Sequence, residues 1–139
     1  FLSQQNTSRK VDSLPENIPT LEDMGINYLN SNNIDQAEAV FKKILEMDSK
    51  HPAAQRYMAD IFTQKNQFEN AIHILNRLSL QFPEDTNILF NLAVACYNAN
   101  DFSRAKSNLK AAKKLTKDVD YIREINQFLD HIENINQLD

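Results

Sequence analysis

From Ile18 onward, apolar residues recur at spacings of three and four, the period of amphipathic helices, and short polar stretches break the pattern at regular distances. Three segments, Ile18 to His51, Pro52 to Asp85 and Thr86 to Val119, align beneath one another without a gap. Their columns then hold Met24, Met58 and Leu92; Gly25, Ala59 and Ala93; Tyr28, Phe62 and Cys96; and Ile34, Phe68 and Phe102. Further columns hold Ala37, Ala71 and Ala105; Phe41, Leu75 and Leu109; and Ile44, Leu78 and Ala112. Such a 34-residue period marks stacked supersecondary units, each unable to bury its apolar face alone.

Each window is interrupted in the middle by a polar turn, at Asn30 to Asn33, Gln64 to Gln67 and Asn98 to Asp101. Every window therefore reads as a helical hairpin. Asp35 with Glu38 has the spacing of a capping box, Ser103 is a good N-cap and Glu69 a weaker one, which places the second-helix caps there. Between windows, Pro52 and Pro83 disfavour helix in the residue before them, so the chain turns there as well. Residues 120–139 form one more amphipathic helix, with Ile122, Ile125, Leu129, Ile132 and Ile135 on one face, and its polar side caps the stack. Residues 1–17 are polar and aperiodic, and Pro15 and Pro19 interrupt any helix there, which reads as a linker or arm.

Composition narrows the picture further. The chain has one glycine, Gly25, and no Asn-Gly or Asp-Gly pair, so hairpin sheets and glycine-rich phosphate turns are both disfavoured and an all-α fold is expected. The net charge of -4 is solubilising and supplies no general attraction to nucleic acid. Because Cys96 is the only cysteine, no internal disulfide or thiolate zinc cluster is expected, and the compartment stays open between the cytoplasm and a membrane-anchored or envelope setting. No apolar run approaches the roughly 18 residues that span a bilayer. The chain starts at Phe1, which suggests an excerpt of a longer protein with room for an upstream anchor or signal.

Residue types that carry catalysis are scattered. His51, His73 and His131 are far apart, without metal-ligand spacing, and read as solvated surface residues. Cys96 shares a column with Tyr28 and Phe62, so it is expected to be a buried, inert thiol. No nucleophile elbow or phosphate loop is present, and neither enzyme activity nor a cofactor or metal is expected.

The columns resemble the tetratricopeptide repeat, whose unit places a large residue, Leu-Gly and an aromatic on its first helix and Ala, an aromatic and Ala on its second. Leu21, Met24, Gly25, Tyr28, Ala37, Phe41 and Ile44 match in type. The family's first large position is here Leu21, Gln55 and Leu89, and Gln55 is expected to leave one interhelix contact thin. The resemblance implies a right-handed superhelical solenoid of antiparallel hairpins, and a non-catalytic scaffold whose concave face receives a peptide or helix.

Carrying the family's groove positions onto this chain selects Glu22, Ile26, Leu29 and Asn30 in the first window. In the second it selects Arg56, Tyr57, Asp60 and Gln64, and in the third Asn87, Phe90, Asn91, Val94, Tyr97 and Asn98. Ile26, Leu29, Phe90, Val94 and Tyr97 would then be exposed apolar spots suited to a binding surface, with asparagines offering partners to a peptide backbone. Where relatives clamp an acidic C-terminal tail with Lys and Asn, this chain has Glu22, Ile26, Tyr57, Asn87 and Asn91, so acidic tails are expected to be repelled.

Two alternatives remain open. One is self-assembly through the solenoid edges or the arm, where Phe1, Leu2, Val11 and Leu14 are spaced apolar residues. The other is an anionic surface, nucleic acid or membrane, docking on Lys106, Lys110, Lys113, Lys114 and Lys117. Finally, Gly25 belongs to a small-residue column where two helices approach closely, which predicts that Gly25→Leu destabilises by a few kcal/mol while Gly25→Ala is nearly neutral.

Overall fold

Helix entry and exit explain most of the architecture. The computed structural model describes residues 14–138, and every regular element among them is a helix: α1 (Ile18–Asn30), α2 (Ile34–Met47), α3 (Pro52–Gln64), α4 (Phe68–Gln81), α5 (Thr86–Asn98), α6 (Phe102–Leu115) and α7 (Val119–Leu138). The first three odd-numbered helices begin 34 residues apart, and so do the three even-numbered helices after them. Of the arm, Phe1, Leu2 and Val11 lie outside the described residues. Pro19, expected to interrupt a helix, sits instead in the first turn of α1, where its missing N–H costs nothing.

The turns inside the hairpins follow one plan. Asn32, Asn66 and Asn100 have φ of 61, 60 and 64°, the left-handed region in which asparagine is tolerated and most side chains are not. Around each, the next residue's N–H reaches back to the helix: Asn33 to Tyr28 O at 2.7 Å, Gln67 to Phe62 O at 2.8 Å and Asp101 to Cys96 O at 2.8 Å. With the Asn32, Asn66 and Asn100 amides bonded to Leu29, Thr63 and Tyr97 carbonyls, each at 3.0 Å, this is the Schellman closure, made without glycine.

That closure corrects the expected caps. The residue whose N–H closes one helix is also the cap of the next, so the second helices are capped at Asn33, Gln67 and Asp101, two residues before Asp35, Glu69 and Ser103. Of the three, only the Asp101 side chain accepts a cap hydrogen bond, from the Arg104 N–H at 3.1 Å. Asp35 and Glu69 lie in the first turn, where a carboxylate favours the helix dipole.

The odd-numbered helices have their own cap column. Asn17 accepts from Thr20 N–H at 3.1 Å, His51 Nδ1 from Ala54 N–H at 3.2 Å, and Asp85 from Asn87 and Ile88 N–H at 3.0 and 3.3 Å. Asp118 does the same for α7, accepting from Asp120 and Tyr121.

Contacts divide the chain into two compact units, one ending at Ile61 and the other beginning at Phe62, within α3. In the first unit α1 packs on α2. Leu21, Phe41, Ile44, Met58 and Ile61 are all buried there, and Gly25 lies against Phe41. A methyl group on Gly25 would stand 2.5 Å from Phe41 Cζ and 2.8 Å from both Cε atoms. Phe41 is fully buried and stacked on Tyr57, with ring centroids 4.8 Å apart and planes at 19°. It has nowhere to retreat. Gly25→Ala is therefore not neutral, as the column alone suggested, because the space a methyl would need is filled by a ring held from its other side.

Gln55 also departs from expectation. It is buried at 2% exposure, and its Nε2 donates to Ser49 O at 3.0 Å, so the position is filled and its polar atom satisfied.

In the second unit α5 packs on both α4 and α6, and α7 on α6. Leu75, Leu78, Ile88, Leu92, Leu109, Ile125 and Ile132 are buried in it. Cys96 is fully buried with them, and burial pushes its thiol pKa up, opposed by nearby Arg104. The thiol is held in its unreactive form.

Candidate partner-binding surface

The fourteen residues selected from the sequence are divided by the boundary in α3. Within the first unit, Glu22, Ile26 and Leu29 follow one another at helical spacing along one face of α1, with Ile26 and Leu29 half-buried and Asn30 exposed. Glu22 is already engaged. Its Oε1 lies 3.3 Å from His51 Nε2, while His51 Nδ1 accepts the Ala54 N–H. With Nδ1 accepting at the cap of α3, Nε2 is the ring nitrogen left to carry a proton beside Glu22. His51 is thus a structural link between α1 and α3, not the solvated residue its turn position suggested.

On α3, Tyr57 is half-buried by its stacking on Phe41, so its ring is positioned from beneath. Asp60 has accessible surface, yet neighbouring protein atoms desolvate its carboxyl enough to raise its pKa, an effect that Arg56 partly offsets. Arg56 and Asp60, one turn apart, place opposite charges on the same face.

The second unit holds Gln64 and the six residues of α5, and it separates those six into two groups. Phe90 meets Tyr121 and Phe128 of α7, with centroids 5.8 and 5.9 Å away. Tyr97 meets Phe102, Phe128 and His131 at 5.5, 5.3 and 5.7 Å, and its hydroxyl hydrogen-bonds His131 Nε2 at 2.8 Å. Phe90 and Tyr97 are therefore half-buried against the terminal helix and are not the exposed apolar spots expected of them. Tilted and edge-on ring pairs of this kind add to the area they bury. Asn87, Asn91 and Asn98, with half-buried Val94 between them, form the neighbouring stripe and stay open, as does Gln64.

His131 is exposed, as His73 is and as the sequence suggested, and it also joins the edge of this aromatic cluster through Tyr97. α7 is further tied down by Tyr121 Oη donating to Thr86 O at 3.0 Å and by Lys106 Nζ to Glu133 Oε2 at 2.9 Å. The lysine holds the Glu133 carboxyl below its ordinary pKa. None of these contacts was read from the sequence. Their signal was present in the aromatic residues of residues 120–138, Tyr121 and Phe128, which an apolar periodicity count passes over.

A depression of about 780 Å³ in the second unit, lined by residues such as Glu69, Asn100, Asp101, Ser103, Lys106 and Lys110, contains none of the selected residues. Among the described residues no cluster of His, Cys, Asp or Glu has the geometry of a metal site.

Helix pairs of equal length at a fixed period, closed by the same turn, define the repeat, and a family model for the tetratricopeptide repeat matches residues 28–88. The chain has the tetratricopeptide fold. Solved structures of this fold align over most of it. One is MamA from Desulfovibrio magneticus RS-1, 20% identical, covering 87% of this chain and 67% of that one with a TM-score of 0.77. Another is PcrH in complex with the chaperone binding region of PopD, 16% identical, covering 89% and 97% with a TM-score of 0.75; a further PcrH structure is from Pseudomonas aeruginosa. A third is the first tetratricopeptide domain of Spaghetti (RPAP3) bound to an HSP90 peptide, 16% identical, covering 86% and 93% with a TM-score of 0.73. Among curated proteins none matches the sequence. At these identities the likeness establishes the all-α tetratricopeptide fold.

Proposed function

We propose that this chain is a non-catalytic interaction scaffold that receives an amphipathic helix or an apolar extended segment of a protein partner along its first-helix faces. The observation that carries the reading lies inside the molecule: α5 receives an amphipathic helix, α7, through Phe90 and Tyr97. The corresponding face of α1 holds half-exposed Ile26 and Leu29, and α5 keeps its asparagine stripe open beside the occupied face. Two of the structural neighbours are complexes with a segment of another protein.

Partner chemistry follows from charge. Glu22 and Asp60 are carboxylates on the selected surface of the first unit, and Asp60 is already partly desolvated. An acidic tail approaching them would meet like charge. The favoured ligand is apolar with basic flanks.

The reading is tested with an array of peptides of varied charge and apolar content, probed with the wild-type chain and with Ile26→Ser plus Leu29→Ser. Apolar, basic-flanked peptides should bind and lose binding in the variant, whose helical circular dichroism should persist. Preference for acidic C-terminal tails that is lost on Asn91→Ala, or binding indifferent to Ile26 and Leu29, would count against it. Phe90 and Tyr97 are poor probes, because truncating them loosens α7.

A further inference from the structure

The cations of α6 fall into two groups. Arg104 Nε is held by Asp101 at 2.6 Å and Lys106 by Glu133 at 2.9 Å. Lys110, Lys113, Lys114 and Lys117 are exposed and make no ion pair among the described residues. Complementing the helix dipole accounts for a positive charge in the last turn. It does not account for what surrounds these lysines. Leu115 is 45% exposed, Val119 68% and Leu80 83%, with Phe82 at 37%.

Lys113, Lys114 and Lys117 share with these apolar residues one edge of the second unit, where α4 and α6 end and α5 and α7 begin, while Lys110 lines the depression beside Asn100 and Asp101. Leu80 occupies in α4 the repeat position that Lys114 occupies in α6. The Tyr121 to Thr86 hydrogen bond fastens the start of α7 to the start of α5, which Phe82 and Pro83 precede. The nearby carboxylates are largely committed: Asp118 and Asp85 to helix caps, Asp120 to Arg123 at 3.0 Å, while Glu84 is exposed.

We propose that this lysine and aliphatic edge binds an anionic membrane surface. Protruding aliphatic side chains among flexible cations match an interface in which the apolar tips enter the headgroup boundary and the ammonium groups remain at the phosphates. A folded protein partner is the poorer fit, because interface cores are depleted in lysine and anchored by Trp, Tyr or Arg, and the unpaired cations here are all lysine. Single-stranded nucleic acid would call for aromatic residues interleaved with the cations. No described helix is long and apolar enough to cross a membrane, so the contact is peripheral.

The test is co-sedimentation of the chain with vesicles of phosphatidylcholine alone or mixed with phosphatidylserine, at low and high salt. Binding should require phosphatidylserine, weaken with salt, and fall on the order of a hundredfold in Lys113→Gln/Lys114→Gln/Lys117→Gln. Leu80→Ser with Val119→Ser should weaken it several-fold at unchanged net charge; both sites are exposed, so folding is preserved. Failure to bind phosphatidylserine vesicles at low salt would overturn the proposal. So would wild-type binding by the lysine variant, indifference to the aliphatic variant, or equal affinity for polyglutamate or duplex DNA. Peptide binding through Ile26 and Leu29 is read independently, since these residues lie in the other unit.

Discussion

Gly25 against Phe41 in the first unit and Ala93 and Leu109 in the second stand in the same columns of the repeat but divide the available volume differently. In the first pair the ring takes everything and leaves no space for a methyl group; in the second the same two columns hold a methyl and a smaller aliphatic side chain. Ala59 and Leu75 repeat the second solution in sequence. A repeat column thus conserves a summed volume more than a residue type, and a substitution is judged by its partner across the helix pair.

The largest expected effect tests that statement directly. Gly25→Leu should cost about 3 kcal/mol or prevent folding of the first unit, and Gly25→Ala about 1 to 3 kcal/mol, in urea unfolding. Gly25→Ala with Phe41→Leu installs the pair that the other repeats use, and should recover part of the loss. A double-mutant cycle with no favourable coupling would break the comparison. A larger cost for the double variant than for the sum of the singles would reverse it.

The two units also differ in what covers their first helices. α7 lies over Phe90 and Tyr97, whereas the α1 face keeps Ile26 and Leu29 half-open. Phe128→Ala removes the ring common to both contacts, and should destabilise by about 2 kcal/mol for a partly buried aromatic. Hydrogen exchange should accelerate in α7 before α5, and unchanged protection of α7 would mean that the aromatic cluster does not hold it.

Next in size is the turn column. Asn66→Ala forces a β-carbon residue without local hydrogen bonding into the left-handed region, at a cost of about 1 kcal/mol, while Asn66→Gly should be neutral or stabilising. Because Asn32 and Asn100 share the conformation, equal responses at all three are expected, and a single outlier would mark the turn that tertiary packing controls.

The smallest effect concerns Asp60. Its folded pKa is raised above the ordinary carboxylate value, mainly by desolvation. The folded state therefore holds the proton more tightly, so this group favours folding at low pH and loses that contribution as pH rises through the raised value. Asp60→Asn should be slightly more stable than wild type at neutral pH, with the difference shrinking as pH approaches the unfolded carboxylate range. A variant less stable at neutral pH would show that the charge attraction of Arg56 outweighs desolvation.

Much of the fold was legible because helix-forming periodicity is local. Apolar spacing, polar turns and the 34-residue register made the helical hairpins legible, and the register also placed Cys96 in the core. The caps were misplaced by two residues because Asp35, Glu69 and Ser103 look like caps, whereas the Schellman closure at Asn32, Asn66 and Asn100 had already fixed where the next helix begins. Of the surface, the asparagines are exposed while Ile26, Leu29, Phe90 and Tyr97 are all half-buried, the last two by aromatic contacts with α7 that no column predicts.

By itself the sequence determined the helical hairpins, their register and which face of each helix is apolar, since those depend on neighbours three and four residues away. Only tertiary structure decided how volume is shared between Gly25 and Phe41, which proton His51 carries, and that α7 occupies the aromatic face of α5. Each of these depends on side chains brought together from distant segments, where close packing and hydrogen-bond geometry, not local propensity, set the outcome.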